Sequence, residues 1–146
     1  GNKAVYVLKK ESSYTIRMYS RVGKAIPLYC TAIGKILLSD MHDDELEEYL
    51  STVQLKPFTP KTVRNVSELK QELQQIRSQG WASDNEEHEM GTLCIGAPIK
   101  DYTSKVVAAM SVSWPLFRFD TTEQERITSS ILEACTELSH LLGWET

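Results

Sequence analysis

The period of the apolar positions changes repeatedly along this chain, and each change marks an element. Val5, Val7 and Lys9 alternate with Tyr6, Leu8 and Lys10, Tyr14 to Tyr19 is rich in β-branched and aromatic residues, and Glu11-Ser12-Ser13 separates the two runs. That pattern predicts a hairpin. Gly23 breaks it, and Pro27 imposes an extended entry through Leu28-Tyr29, so the next helix begins no earlier than Cys30 or Thr31. Ala32, Ile33, Ile36, Leu37 and Leu38 make that helix short and largely buried.

Further along, Asp43-Asp44-Glu45 places negative charge where a helix dipole favours it, and Leu46, Tyr49 and Leu50 supply the apolar face of a brief second helix. Ser51 to Val63, with Pro57 and Pro60, reads as a connecting loop packed through Val53, Leu55 and Phe58. Asn65 and Glu68 form a capping box ahead of Val66, Leu69, Leu73 and Ile76, and Gly80 ends that helix. Gly91-Thr92-Leu93-Cys94 opens a strand that continues through Ile95 to Ile99, and Asp101-Tyr102-Thr103-Ser104 turns it into a second, Lys105 to Trp114. The nearly unbroken apolar run Val106 to Met110 predicts a central strand covered on both faces. Thr122 with Glu125 is another capping signature, and Ile127, Ile131, Ala134, Cys135, Leu138 and Leu142 mark one long helix closing near Gly143. The order ββαααββα predicts an α+β domain, an antiparallel sheet with helices packed against it.

Composition narrows the function classes. At 146 residues with 41% hydrophobic positions, the chain fits a single core. Its formal net charge of -4 argues against this segment wrapping a polyanion, because nucleic-acid binders need a basic face to displace counterions. Cys30, Cys94 and Cys135 are odd in number and form no CxxC pair, which fits a reducing compartment. With no long apolar run and no signal peptide at its start, the chain is expected to be soluble and cytoplasmic, without a membrane partner.

Three features carry candidate chemistry. The opening amides of the helix at Thr31 have no internal partners, so Ala32 and Ile33 can offer N–H groups to a carboxylate, and Thr31 its hydroxyl; the plainer reading is that Thr31 only caps the helix. Asp84-Asn85-Glu86-Glu87-His88-Glu89 is either a solvated acidic turn or a cluster of ligand-facing groups. His88 near Cys94 raises two alternatives, a zinc site of unfamiliar spacing and a cysteine nucleophile activated by histidine. Ser111 and Ser113 are two apart and face one side of a strand, and the turn near residues 102 and 103 puts Ser111 across from Cys94. The six-residue loop and the two strands after it can therefore wall one polar pocket.

The set Arg17-Met18-Tyr19-Ser20-Arg21-Val22-Gly23, Pro27 to Lys35, Asp84-Asn85-Glu86-Glu87, Cys94 and Ser111-Val112-Ser113 resembles the effector-binding domain of the IclR family of bacterial transcription regulators. That resemblance spans essentially the whole chain. It implies a GAF-like domain: a curved antiparallel sheet with helices around a ligand pocket. It implies ligand contacts from the amides of Ala32 and Ile33 and the side chains of Asp84, Cys94, Ser111 and Ser113, with Met18, Ile26, Thr31 and Thr92 lining the pocket. Thr92 stands where a leucine-like residue is usual, which makes the pocket wetter. It also implies no catalytic residue, no cofactor and no metal. The partners it implies are a small carboxylate effector, a sugar acid or keto acid, and further copies of the chain in a dimer or tetramer. Operator DNA is expected to be met only through an N-terminal helix-turn-helix domain absent from this chain, as is the start of the sensor domain. The nearest subgroup comprises repressors of sugar-acid catabolism. A pure oligomerisation module is the blandest alternative.

Overall fold

The computed structural model describes residues 2–11, 21–118 and 120–146. β1 (Lys3–Val5) pairs antiparallel with β2 (Ala25–Pro27), placing Ala4 opposite Ile26. Tyr6 extends the ribbon one step: its N–H donates to the Lys24 carbonyl at 3.2 Å, and its carbonyl accepts from the Gly23 N–H at 2.8 Å. The first strand thus ends at Val5, although the alternation predicted it through Lys9. Val7 and Leu8 are exposed, so alternation there has no core to face. The other arm of the predicted hairpin, Tyr14 to Tyr19, lies outside the described residues.

Three helices follow. α1 (Ala32–Ser39) starts where Pro27 allows, with Thr31 as its cap. α2 (Asp43–Thr52) has Asp43, Asp44 and Glu45 in its first turn and no side-chain cap, so the charge-dipole term does the work of a cap. α3 (Val66–Gln79) is bracketed as predicted: the Asn65 side chain accepts from the Glu68 N–H at 2.8 Å, and Gly80 ends the helix in the left-handed region at φ 84°. Leu28, Ile36, Leu38, Leu50, Leu69 and Leu73 anchor the larger core beneath these helices. Burying each such aliphatic contributes roughly 1.5 to 3 kcal/mol. Of the loop residues expected to pack, Val53 and Leu55 are half-buried, but Phe58 is exposed and meets only the rings of Tyr29 and His88.

The second sheet runs β3 (Ala82–Asn85), β4 (Thr92–Lys100), β5 (Val106–Pro115), all antiparallel. β3 is a strand that alternation did not predict, because Ala-Ser-Asp-Asn contains no strong β-former; its pairing with β4 is what holds it extended. β4, not β5, is the strand buried on both faces. Among the described residues β5 is an edge, with Val107 and Val112 50% and 40% exposed. Its apolar run arises because Val106 and Ala109 reach the larger core while Met110 and Trp114 pack into a second one.

α4 (Thr121–Leu141) closes the domain. Its buried seam is Ile131, Cys135 and Ser139, and Ile131 and Cys135 meet Ile95 and Ala97 in the second core. The Ser139 hydroxyl donates to the Cys135 carbonyl at 2.7 Å and accepts from the Lys100 N–H at 2.9 Å, which is why a polar residue holds that seam position. Leu138 and Leu142, expected on the stripe, lie off it and are exposed. Asp120, two residues earlier than expected, is the cap, accepting from the Thr122 N–H at 2.8 Å. β4 thus turns Ile95 and Ala97 to α4 and, between them, Gly96 to the start of α1. The fold is α+β, as the element order predicted.

Candidate functional site

Close approach of α1 to β4 creates the site. A methyl group on Gly96 would sit 3.2 Å from Ala32 Cβ and 3.2 Å from its carbonyl carbon, so only glycine lets the helix start lie this near the sheet. Gly34 is needed for a similar reason, since a side chain there would run into the Leu28 backbone. Beside this contact lies a hollow of about 350 Å³, its open mouth included. Its floor is the helix start, Thr31, Ala32 and Ile33; β1 and β2 contribute Tyr6 and Ile26, and the acidic turn and second sheet contribute Asp84, His88, Glu89, Thr92, Cys94 and Ser111.

The Thr31 hydroxyl is already committed. It donates to the Pro27 carbonyl at 2.6 Å and accepts from the Gly34 N–H at 3.1 Å, so it caps the helix and lines the hollow but has no hydrogen left for a ligand. Of the two readings of Thr31, the geometry is that of the plainer one, a helix cap. Ala32 and Ile33 stand at the first two helical positions, whose N–H groups have no carbonyl four residues back within the helix. They remain the donors suited to an anion.

Asp84 is opposite Cys94, and Cys94 is opposite Ser113, across three strands. The Asp84 carboxylate is buried, and its Oδ1 accepts from the Glu87 N–H at 2.8 Å. Burial pushes its titration up to about 7, opposed in part by that hydrogen bond, so at neutral pH it holds a proton about half the time and can donate as well as accept. Cys94 Sγ lies 3.0 Å from Ser113 Oγ, either atom able to donate. Ser111 lines the hollow, whereas Ser113 is exposed and reaches it only through Cys94. The hairpin register pairs Ser111 with Gly96, two residues from the predicted partner: the irregularity between Ile99 and Lys100 shifts it by one, and the turn closed by the Asp101 N–H to the Lys105 carbonyl shifts it by another. The parity survives, so both serines stay on the predicted face. Ile26 is buried in the wall and Thr92 is buried beside it; Met18 lies outside the described residues.

The acidic turn is not a solvated one. Glu86, at φ 57°, accepts from the Gly91 N–H at 2.9 Å through Oε1 and pairs with Lys61 Nζ at 2.5 Å through Oε2. The Thr59 and Thr62 hydroxyls donate to the Glu86 and Glu87 carbonyls, each at 2.6 Å, and prop the turn from the loop behind. Burial holds His88 below its ordinary titration range, with its ring edge-on to Phe58 at 4.9 Å. Burial and the nearby Asp84 push the Cys94 thiol up to about 12, which suppresses the thiolate a nucleophile needs. Among the described residues, no group of three His, Cys, Asp or Glu side chains is arranged to hold a metal, and no helix is long and apolar enough to cross a membrane.

The family model for the C-terminal domain of the bacterial transcriptional regulator IclR matches residues 1–140. This chain is an IclR C-terminal domain. It is similar to the HTH-type transcriptional regulator KdgR of Escherichia coli strain K12, 39% identical over 140 residues, which cover 96% of this chain and 53% of that protein. Among solved structures it resembles the Thermotoga maritima IclR, with TM-score 0.93 and 42% identity over 99% of this chain and 58% of that one. It also resembles the C-terminal domain of E. coli KdgR, with TM-score 0.80 and 34% identity over 94% of this chain and 85% of that one. The chain spans about half the length of the curated relatives it matches. These relatives are transcriptional regulators, and the IclR domain is not an enzyme.

Sequence reasoning missed Tyr6 and Lys35 of this IclR site, and it had His88 and Glu89 in the pocket-walling loop without a ligand contact. Tyr6, His88 and Glu89 line the hollow, and Lys35 lies buried behind it. Tyr6 shares the alternation face of Ala4, and that face is the one turned inward. Lys35 is the lone cation of an otherwise apolar helix, and a buried ammonium must have found carboxylates; Glu72 and Glu87 are those partners.

Proposed function

We propose that this IclR domain is the sensor of a transcriptional regulator and binds a small carboxylate, a sugar acid of about five or six carbons, in the hollow. The observation that carries this reading is the division of the lining. One end offers the first-turn amides of Ala32 and Ile33, which have no partner within the helix and suit a carboxylate. The other end gathers Asp84, Thr92, Cys94 and Ser111, with Tyr6 and His88 beside them, suited to several hydroxyl groups. A short keto acid can reach few of these groups at once. The name of the similar KdgR and XynR regulators fits a role in gene control, and DNA contact through another segment and self-assembly belong to the same proposal.

One property of the hollow connects binding to regulation. A water molecule accounts for about 30 Å³ of liquid, so a sugar acid displaces several times that volume. The Asp84–Glu89 turn and the start of α1 both line the hollow of about 350 Å³, so a bound acid contacts both. A ligand that favours one arrangement of these walls can shift the equilibrium between two forms of the regulator; a ligand bound equally by both shifts nothing. Thermal shift and calorimetry against gluconate, galacturonate, pyruvate and glyoxylate test the reading. Saturable binding of at least one sugar acid is expected, and an absence of binding across such acids sinks it.

A further inference from the structure

α1 surrounds a single cation, Lys35, with Ala32, Ile33, Ile36, Leu37 and Leu38. Its side chain is 0% exposed, and its Nζ meets both carboxylate oxygens of Glu87 at 2.9 Å and Glu72 Oε1 at 2.5 Å. The two partners are not equivalent. Glu72, on α3, leaves 33% of its side chain in water, against 12% for Glu87. Neutralising the lysine does not by itself require a second, more deeply buried carboxylate. What the Glu87 pair adds is a connection to the turn that carries Asp84. Glu87 Oε2 also accepts from the Asn85 N–H at 3.1 Å, and the Glu87 N–H donates to Asp84 Oδ1 at 2.8 Å.

We propose that Lys35 is a positioning residue of the effector site: its two-oxygen grip on Glu87 holds the Asp84–Glu89 turn over the opening of α1, so that the Glu87 N–H fixes the Asp84 carboxyl beside the hollow. Lys35 is not among the lining residues and acts only through Glu87 and Asp84. Because Lys35 and the Ala32 and Ile33 amides belong to one helix, the element that supplies the anion donors also sets the distance to the opposite wall. This role rests on the reading of the hollow as the ligand site. A buried ion pair can often be exchanged for neutral side chains of similar size at little cost to stability, so a pair that positions a neighbour shows itself by losing that placement while the fold survives.

Two variants separate those cases, Lys35→Met and Lys35→Met/Glu87→Gln. The first leaves Glu87 buried without its cation and is expected to lose thermal stability, or to fail to fold. The second removes that stranded charge and is expected to melt within a few degrees of the wild type. Calorimetry with gluconate and hydrogen exchange at the Glu87 amide then read positioning. The double variant is expected to bind gluconate at least about tenfold more weakly, and to exchange the Glu87 amide at least about tenfold faster, than the wild type. A double variant that binds and protects like the wild type overturns the proposal. So does one no more stable than Lys35→Met, since the cation is then a structural requirement. If the wild type itself does not bind gluconate, the choice of ligand fails, and amide exchange alone decides on Lys35: unchanged protection overturns the role and faster exchange upholds it.

Discussion

Asp84 on β3 stands directly opposite Cys94 on β4, on the face of the sheet turned to the start of α1. Burial makes both harder to ionise, and the Asp84 charge adds to that effect at Cys94. A proton on Asp84 therefore relieves the site of a buried charge. That state suits a receptor for an anion, because a neutral acid can donate a hydrogen bond where a carboxylate would repel.

A pH-dependent stability follows from Asp84. Its carboxyl titrates near 7 in the folded chain, against an ordinary 3.8. Below the lower value both states carry the proton and the residue contributes nothing. As pH rises between the two values the unfolded chain releases its proton and the folded chain keeps it, so stability falls; above about 7 the loss levels off. The full span corresponds to about 4 kcal/mol at most. Asp84→Asn keeps an oxygen for the Glu87 N–H and removes the titration. Its melting temperature relative to wild type is expected to rise from pH 4 to pH 8, by roughly 5 °C or more. A difference that stays flat across that range would show that burial of this carboxyl is not what the fold tolerates.

Packing at the helix start gives a second test. Gly96→Ala must push Ala32 back by a few tenths of an ångström, and Gly34→Ala must displace the Leu28 backbone. Overpacking of this kind costs typically about 1 to 3 kcal/mol. Gly96→Ala is expected at the low end of that range, folded but with weakened gluconate binding, because the shift falls on the amides proposed to hold the carboxylate. Gly34→Ala is expected to unfold at a clearly lower temperature. Equal melting temperatures for Gly96→Ala, Gly34→Ala and wild type in differential scanning calorimetry would contradict the close approach.

What could be read in the sequence tracks how local the determining forces are. The Asn65 cap, the Gly80 stop and the helix start after Pro27 depend on neighbours in the chain, and the structure shows all three as predicted. β3, and the edge position of β5 among the described residues, depend on which strand lies alongside, which no window of sequence contains. The same divide runs through the site. Asp84 from the acidic turn and Cys94 and Ser111 from the hairpin line one hollow, but the pairing of Cys94 with Ser111 is displaced by two residues, in part because the irregularity between Ile99 and Lys100 leaves no mark in the residue pattern. The spent hydroxyl of Thr31 and the pairing of Lys35 with Glu87 across fifty-two positions needed three-dimensional placement.

Ligand affinity tests the polar end of the hollow. Removing a partner from a buried polar group costs about 1 to 3 kcal/mol, so Asp84→Ala or Ser111→Ala is expected to weaken sugar-acid binding roughly five- to 150-fold. Ser113→Ala, whose hydroxyl reaches the hollow only through Cys94, is expected to lose less. Circular dichroism checks that each variant is folded, and calorimetry supplies the affinity. Unchanged binding in both Asp84→Ala and Ser111→Ala removes the pair from the site.

The choice among acids is the most demanding expectation. Pyruvate and glyoxylate each present one carboxylate and one carbonyl. Once the carboxylate occupies the Ala32 and Ile33 amides, a single acceptor remains for Asp84, Thr92, Cys94 and Ser111 together. A polyhydroxylated acid presents donors and acceptors along its length, and a half-protonated Asp84 can pair with either. One additional hydrogen bond contributes roughly 1 kcal/mol or more, so a sugar acid is expected to bind at least about tenfold more tightly than pyruvate or glyoxylate. Ordered water around a small ligand works against this margin, since bridged contacts are enthalpically nearly as good as direct ones. Competition calorimetry at one pH and salt concentration decides between them. Short acids that bind as tightly as gluconate and galacturonate would mean that water, and not ligand hydroxyl groups, fills the polar end of the hollow.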